Sequence, residues 1–369
     1  MDVVSTGAPF FRPWIGREEI DAVTTVLLSG AIAGHATSAE FERMFARYVD
    51  AAYAVSVNSS AAAVTLALEV AGVRPGDDVI TSPYVSPGVA AVIRALRARI
   101  VLADVDPHTG GLLPAAVARR VTPATRVIIA PHAGGVPCDL DALMAIGAGC
   151  GIVIIEEGSQ ALGARYRGRM VGSVGHLCVF GFGETCDVAA GAGAIVTTDV
   201  AEYADAVRSR ADSTDCRMGE LSAAFALAQL RKAEQFRSIR AYYAELYQLG
   251  LADCPEFVLP LVPADVVPAW HSYRLLLDPE RLAADRDTFI ARLQAAGVPA
   301  RAAAVPLHMQ MQFLELGYSP ADYPEATALH ARTVTLPLYA RMTEAEVWDV
   351  VHAVRAASVA HRGGGCYAV

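Results

Sequence analysis

The chain has 369 residues, 54% hydrophobic and 19% charged, which supports a large core and excludes a disordered chain. A formal charge of −9 and a pI near 5.5 argue against a nucleic-acid-binding surface, because phosphate contacts need clustered Lys and Arg. No apolar run approaches the roughly 18–20 residues that span a bilayer, and the start of the chain has no basic segment followed by an apolar one. Seven cysteines without regular spacing fit reduced thiols in a cytoplasmic protein, and no CxxC pair or HExxH supports a metal site.

In chain order, residues 53–57, 78–81, 99–105, 126–131 and 151–157 are short apolar runs rich in β-branched residues, the pattern of buried strands. Residues 59–72, 86–98, 112–121 and 139–150 have helical spacing and fall between them. This alternation predicts a mostly parallel sheet covered on both faces, with ligands at the strand carboxyl ends. A strand region is expected over 191–199, "GAGAIVTTD". One long helical stretch follows at about 219–250, then a strand at 270–277 and a helix at 285–297. The last helix opens with a capping box, Thr343 and Glu346. The expected division is a large α/β domain over 1–234 and a smaller α/β domain over 235–369.

Several segments then carry a family likeness. They include "RPWIGREEIDAV", "GVRPGDDVI", "PHAGGVPCDLDALMAI", "GARYRGRMVGSVGHLCVFGF", "RMGELSAAFALAQL" and "LPLYARMTEAE", all in the appropriate order. The chain resembles the DegT/DnrJ/EryC1/StrS sugar aminotransferases along nearly its whole length. The resemblance implies the aspartate-aminotransferase-like (type I) fold of pyridoxal phosphate (PLP) enzymes, a homodimer with a cavity shared by two chains, and a sugar- or cyclitol-derived substrate.

At the cofactor positions that the resemblance implies, the chain departs repeatedly. Cys186 stands at the Schiff-base lysine and Gly181 at a serine that holds the cofactor phosphate. The phosphate turn reads Asn58-Ser59-Ser60-Ala61-Ala62, with Ala61 at a threonine. Glu157 replaces the aspartate that meets the pyridine nitrogen, Ser86 the aromatic stacked on the ring, and Asp215 an asparagine from the partner loop. Gln160 is placed over the same cavity. Each lost charge-assisted donor costs about 1.5–3 kcal/mol, and about 1.4 kcal/mol is a factor of ten in affinity. Summed position by position, these losses predict a chain without PLP.

On that expectation Cys186, His132, Glu157 and His308 are the candidate catalytic residues. A thiol near a base can act as nucleophile, imidazole titrates near neutrality, and a part-buried carboxylate has a raised pKa. Cys186 has an alternative as a small apolar filler, and each histidine as a hydrogen-bonded structural residue. His35 is expected to cap a helix and His271 to be structural, on an edge strand. Glu156 and Glu157 are adjacent on a strand and point to opposite faces, so only one can meet the cavity, and the family resemblance implies that it is Glu157. The expected function is PLP-independent acyl transfer, condensation or cyclisation in natural-product biosynthesis, a setting suggested by the alanine- and arginine-rich, lysine-poor composition. One alternative is a non-catalytic paralogue binding a partner enzyme or sugar metabolite. The other is an aminotransferase or dehydratase that holds PLP or pyridoxamine phosphate (PMP) non-covalently.

Overall fold

The computed structural model describes residues 9–183, 186, 188–282 and 284–359. Helices α1 (Arg17–Ser29) and α2 (Ala36–Tyr48) lead into the predicted alternation. It runs β1 (Tyr53–Val57), α3 (Ser60–Val70), β2 (Asp78–Thr81), α4 (Pro87–Ala95), β3 (Arg99–Leu102), α5 (Pro114–Arg120), β4 (Thr125–Pro131), α6 (Leu140–Cys150) and β5 (Val153–Glu157). A small hairpin follows, β6 (Arg165–Tyr166) and β7 (Arg169–Met170), then β8 (Leu177–Gly181) and β9 (Ala194–Thr198). The main sheet has the order β1-β9-β8-β5-β4-β2-β3. Only β9 runs against its neighbours, pairing antiparallel with β1 and β8; the other pairs are parallel.

Side chains alternate across this sheet as a doubly covered strand requires. Val79, Val127, Ile129 and Ile155 pack with α3 and α4 on one face. Ile80, Ile128, Ala130 and Ile154 pack with α5 and α6 on the other. Helix starts are marked by side-chain caps. The Ser59 Oγ accepts from Ala62 N–H (3.1 Å), Ser86 Oγ from Gly88 N–H (3.2 Å) and an Asp139 oxygen from Ala142 N–H (3.2 Å).

Beyond β9 come α7 (Ala201–Ser213), α8 (Glu220–Leu230) and α9 (Ala233–Leu251). The single helix expected over 219–250 is thus two, parted at Arg231 and Lys232 without a glycine or proline to signal the break. At this joint Lys232 turns onto Glu19 of α1, a carboxylate only 1% exposed. A second sheet, in the order β10-β12-β14-β13, contains β10 (Phe257–Val258), β12 (Tyr273–Leu277), β13 (Arg301–Ala302) and β14 (Thr333–Leu336); β11 (Val266–Val267) joins the β6–β7 hairpin. Around it lie α10 (Arg286–Ala295), the short α11 (Met311–Leu314), α12 (Pro324–Arg332) and α13 (Glu344–Val359). The predicted capping box is present: Thr343 Oγ1 accepts from Glu346 N–H (3.2 Å) and Thr343 N–H donates to a Glu346 carboxylate oxygen (2.7 Å). Strand β12 is interior, between β10 and β14, so the residues leading into it are not at an edge. Among the described residues no helix is long and apolar enough to cross a membrane.

Candidate active site

A cavity of about 570 Å³ opens at the carboxyl ends of the main-sheet strands, roofed by the second sheet. Glu157, at the end of β5, lines it and is half-buried. Burial pushes its pKa up, against a Ser159 N–H that donates to Oε1 (3.3 Å). Its neighbour Glu156 is fully buried on the opposite face, where it accepts from Gly172, Val174 and Gly175 N–H. The predicted division of the two acids therefore holds.

His132, at the end of β4, also reaches the cavity wall, but both ring nitrogens are engaged. Cys138 N–H donates to Nδ1 (3.1 Å), so the ring proton sits on Nε2 and faces Glu156 Oε2 (3.1 Å). The ring braces the β4–β5 strand ends. His308 lies outside the cavity lining and is 0% exposed, packed beside Tyr323 with Nε2 at 2.9 Å from Thr327 Oγ1. Burial lowers its pKa. Cys186 is half-buried in the loop after β8, its N–H donating to Gly183 O (3.1 Å), and is not part of the cavity lining. Its neighbours Glu184, Thr185 and Asp187 lie outside the described residues. The four candidates are thus dispersed, and only Glu157 and His132 meet the cavity.

Of the remaining predicted positions Ser86 and Gln160 line the cavity, whereas Ser60, Ala61, Gly181 and Asp215 are not part of its lining. Ser86 caps α4 and lines the cavity, and Gln160 Oε1 accepts from Gly134 N–H (2.8 Å) on its wall. Ala61 is exposed in the first turn of α3, beside Ser60. Asp215 has a positive φ (53°), and its carbonyl accepts from the Asn58 amide (3.5 Å). Gly181 has a particular neighbour: a Cβ added there would overlap Ser60 Oγ and lie 3.2 Å from Ser159 Oγ. The Ser60 hydroxyl therefore occupies the space that a side chain at 181 would need. A hydroxyl absent at 181 is present at 60, at the N-terminus of α3, where the first-turn N–H groups favour an anion.

Sequence reasoning missed Arg274 and Arg301, and assigned His271 to structure although it lines the cavity. His35 does stand at the N-cap of α2, but its side chain makes no cap hydrogen bond. Among the described residues there is no group of three or more His, Cys, Asp or Glu able to hold a metal ion.

A strand-end cavity on a doubly wound sheet, roofed by a smaller sheet, defines a chain of the type I PLP-enzyme fold. Residues 13–355 match the DegT/DnrJ/EryC1/StrS aminotransferase family, and the chain belongs to it. The Bacillus subtilis spore coat polysaccharide biosynthesis protein SpsC is 34% identical over 94% of this chain and 96% of its own length. The aminotransferase TlmJ from Streptoalloteichus hindustanus superposes with a TM-score of 0.89 at 26% identity, covering 96% of this chain and all of that one. A Streptococcus pneumoniae neighbour, Spr1654, solved in both PLP and PMP forms, reaches a TM-score of 0.89 at 24% identity, over 95% and 98% of the two chains.

Membership in an aminotransferase family overturns the expectation of a chain without PLP. The physical error lay in scoring each position alone. Gly181 was counted as a lost hydroxyl, whereas Ser60 places one against the same point.

Proposed function

We propose that the chain is a sugar-type aminotransferase, or a dehydratase of the same family, that holds PLP or PMP by non-covalent contacts alone. The observation that carries this reading is the position of its amines. Lys232 is the only lysine in the sequence; it pairs with Glu19 beside α1 and is absent from the cavity lining. No lysine ammonium is therefore available to tether an aldehyde in the cavity.

The α3 N-terminus with Ser59, Ser60 and the backbone at Gly181 would hold the cofactor phosphate. Glu157 would stand toward the pyridine ring, as the family resemblance implies, and Ser86 and Gln160 would lie on the cavity wall. Bound PLP or PMP supplies an electron sink through which an amino group can move between carbon skeletons. The protein's own contribution is to orient the ligand and manage protons in a confined space. With Ser159 N–H on Oε1, Glu157 Oε2 remains as an oxygen that can carry a proton. His132, locked between Cys138 and Glu156, keeps these strand ends in register.

The substrate class this reading implies is a sugar-derived small molecule, in a polysaccharide or natural-product pathway. A homodimer belongs to the same proposal and is supported by exposed apolar side chains around α1: Ile20, Leu27, Leu28 and Ile32, with Leu28 84% exposed.

The test is a titration with pyridoxal 5′-phosphate followed by absorbance, then borohydride reduction and mass spectrometry. The expected result is saturable binding reversed by gel filtration, with no reduced adduct on a cavity residue. Failure to bind the cofactor, or a reduced adduct at Lys232 that accompanies turnover, overturns the reading.

A further inference from the structure

The five-residue sequence Pro-His-x-Gly-Gly occurs twice, as Pro107-His108-Thr109-Gly110-Gly111 and as Pro131-His132-Ala133-Gly134-Gly135. The first follows β3 and the second ends β4, so the topology sets the two loops at the carboxyl end of the sheet. Arg274, from β12 of the second sheet, is inserted between them. Its Nη2 donates to Thr109 O (2.7 Å) and to Ala133 O (2.8 Å), the residue at the third position of each loop. The first glycine of each loop makes the room. A Cβ at Gly134 would lie 2.6 Å from Nε, and one at Gly110 would lie 2.9 Å from Nη1. Both glycines have positive φ, 67° and 72°, a conformation that L side chains rarely adopt.

This seat is built for a cation but supplies no counter-charge. Among the described residues Arg274 makes hydrogen bonds only to the two carbonyls, and its one titratable neighbour of influence is Tyr84, not an acid. Among the described residues Glu157 is the only acid lining the cavity, and it accepts a hydrogen bond from Ser159 N–H. A guanidinium carries five N–H donors, so Nε and Nη1 keep theirs for another acceptor. An interior cation without an anion is costly, and the cost is relieved when a ligand brings the missing charge. Arg301 lines the same cavity, its guanidinium over the Phe10 ring at 4.2 Å, and leaves the lining positive.

We propose that Arg274, cradled by the paired Pro-His-x-Gly-Gly loops, is the oxyanion receptor of the cavity and binds a carboxylate or phosphate of the substrate. The inference rests on reading this cavity as the substrate site. Binding is measured at equilibrium without added cofactor, so its failure is distinguishable from failure of the PLP reading.

The two sources of the anion are separated by two probes, L-glutamate for a carboxylate and UDP for a phosphate, titrated calorimetrically into wild type, Arg274→Gln and Arg274→Lys. Loss of a charge-assisted bond predicts about a tenfold to hundredfold weaker affinity in Arg274→Gln, with partial recovery in Arg274→Lys. Weakening for glutamate alone assigns a carboxylate, for UDP alone a phosphate, and for both a receptor shared by the two. The melting temperature of ligand-free Arg274→Gln is expected to be unchanged or higher, since an unpaired cation is removed. The proposal is overturned by wild-type affinity of the Gln variant for both probes, by no binding of either to wild type, or by a drop in melting temperature with affinity intact. Should the variant not fold, inorganic sulfate at constant ionic strength must displace the bound probe from wild type; no displacement overturns the proposal equally.

Discussion

Ser60 and Gly181 share one small volume, and each explains the other. A serine at 181 would drive its Cβ into Ser60 Oγ, and a glycine at 60 would leave that volume without a hydroxyl. Ser60→Gly is therefore expected to weaken pyridoxal 5′-phosphate binding by about tenfold or more, the worth of one charge-assisted donor. Gly181→Ser alone is expected to destabilise the fold, and the double exchange to restore both properties. Fluorescence titration and thermal melts of the four chains form a double-mutant cycle, and simple additivity would refute the pairing. Neither residue betrays the pairing in sequence, because they come from different strand-helix units. Glu157 was legible only in two steps: alternation on a strand sets it opposite Glu156, and the family resemblance chose which of the two faces the cavity. Burial raises its pKa, so in the window above the ordinary carboxylate range the folded chain binds more protons than the unfolded one. Its contribution to stability is present at lower pH and is lost as pH rises through the folded value. Glu157→Gln should flatten that part of the melting-temperature profile; an unchanged profile would assign the slope to another group.

Among the elements, α1 is held to the α8–α9 joint by a compact polar knot. Glu19 receives Gly16 N–H (2.7 Å), the Gln229 amide (2.8 Å) and the Lys232 ammonium. Burial works to raise its pKa, but the three donors outweigh it and the balance is downward. The resulting stability is present above the ordinary carboxylate range and is lost as pH falls through the depressed value. Lys232→Met strands this carboxylate and is expected to cost about 3–5 kcal/mol in denaturant melts. The same lysine-free chain should bind PLP as wild type does, at a temperature where both are folded. At the other end of the chain, Thr343→Ala removes a verified cap from α13 and should cost about 0.5–2 kcal/mol. Six of the seven main-sheet strands and the helices between them were legible to within a few residues, since period-two and period-3.6 patterns are local, but β8 (Leu177–Gly181) was not read as a strand. The α8–α9 break was not, because the pull on Lys232 comes from a helix more than two hundred positions earlier.

For the molecule as a whole, strand-helix alternation was enough to give the doubly wound sheet. The cavity was less legible because its wall is assembled from two sheets. Arg274 meets Thr109 and Ala133 across 165 and 141 positions of sequence, and only the repeated Pro-His-x-Gly-Gly could have drawn attention to them. A ligand that joins both sheets should stabilise the entire fold. By mass action, pyridoxal 5′-phosphate at 100 times its Kd is expected to add about 2.7 kcal/mol, visible as a higher melting temperature; no shift at saturation would mean that the cofactor does not bind the folded chain in preference to the unfolded one.

The solitary lysine has a chemical corollary. Of the 30 Lys and Arg side chains, one is a primary amine, and its ammonium is already committed to Glu19. Reducing sugars and acylating metabolites, which modify proteins chiefly through lysine, therefore meet a guanidinium-clad surface with almost nothing to attack. If the proposed function places sugar carbonyls at the cavity, this composition would also limit glycation of the chain.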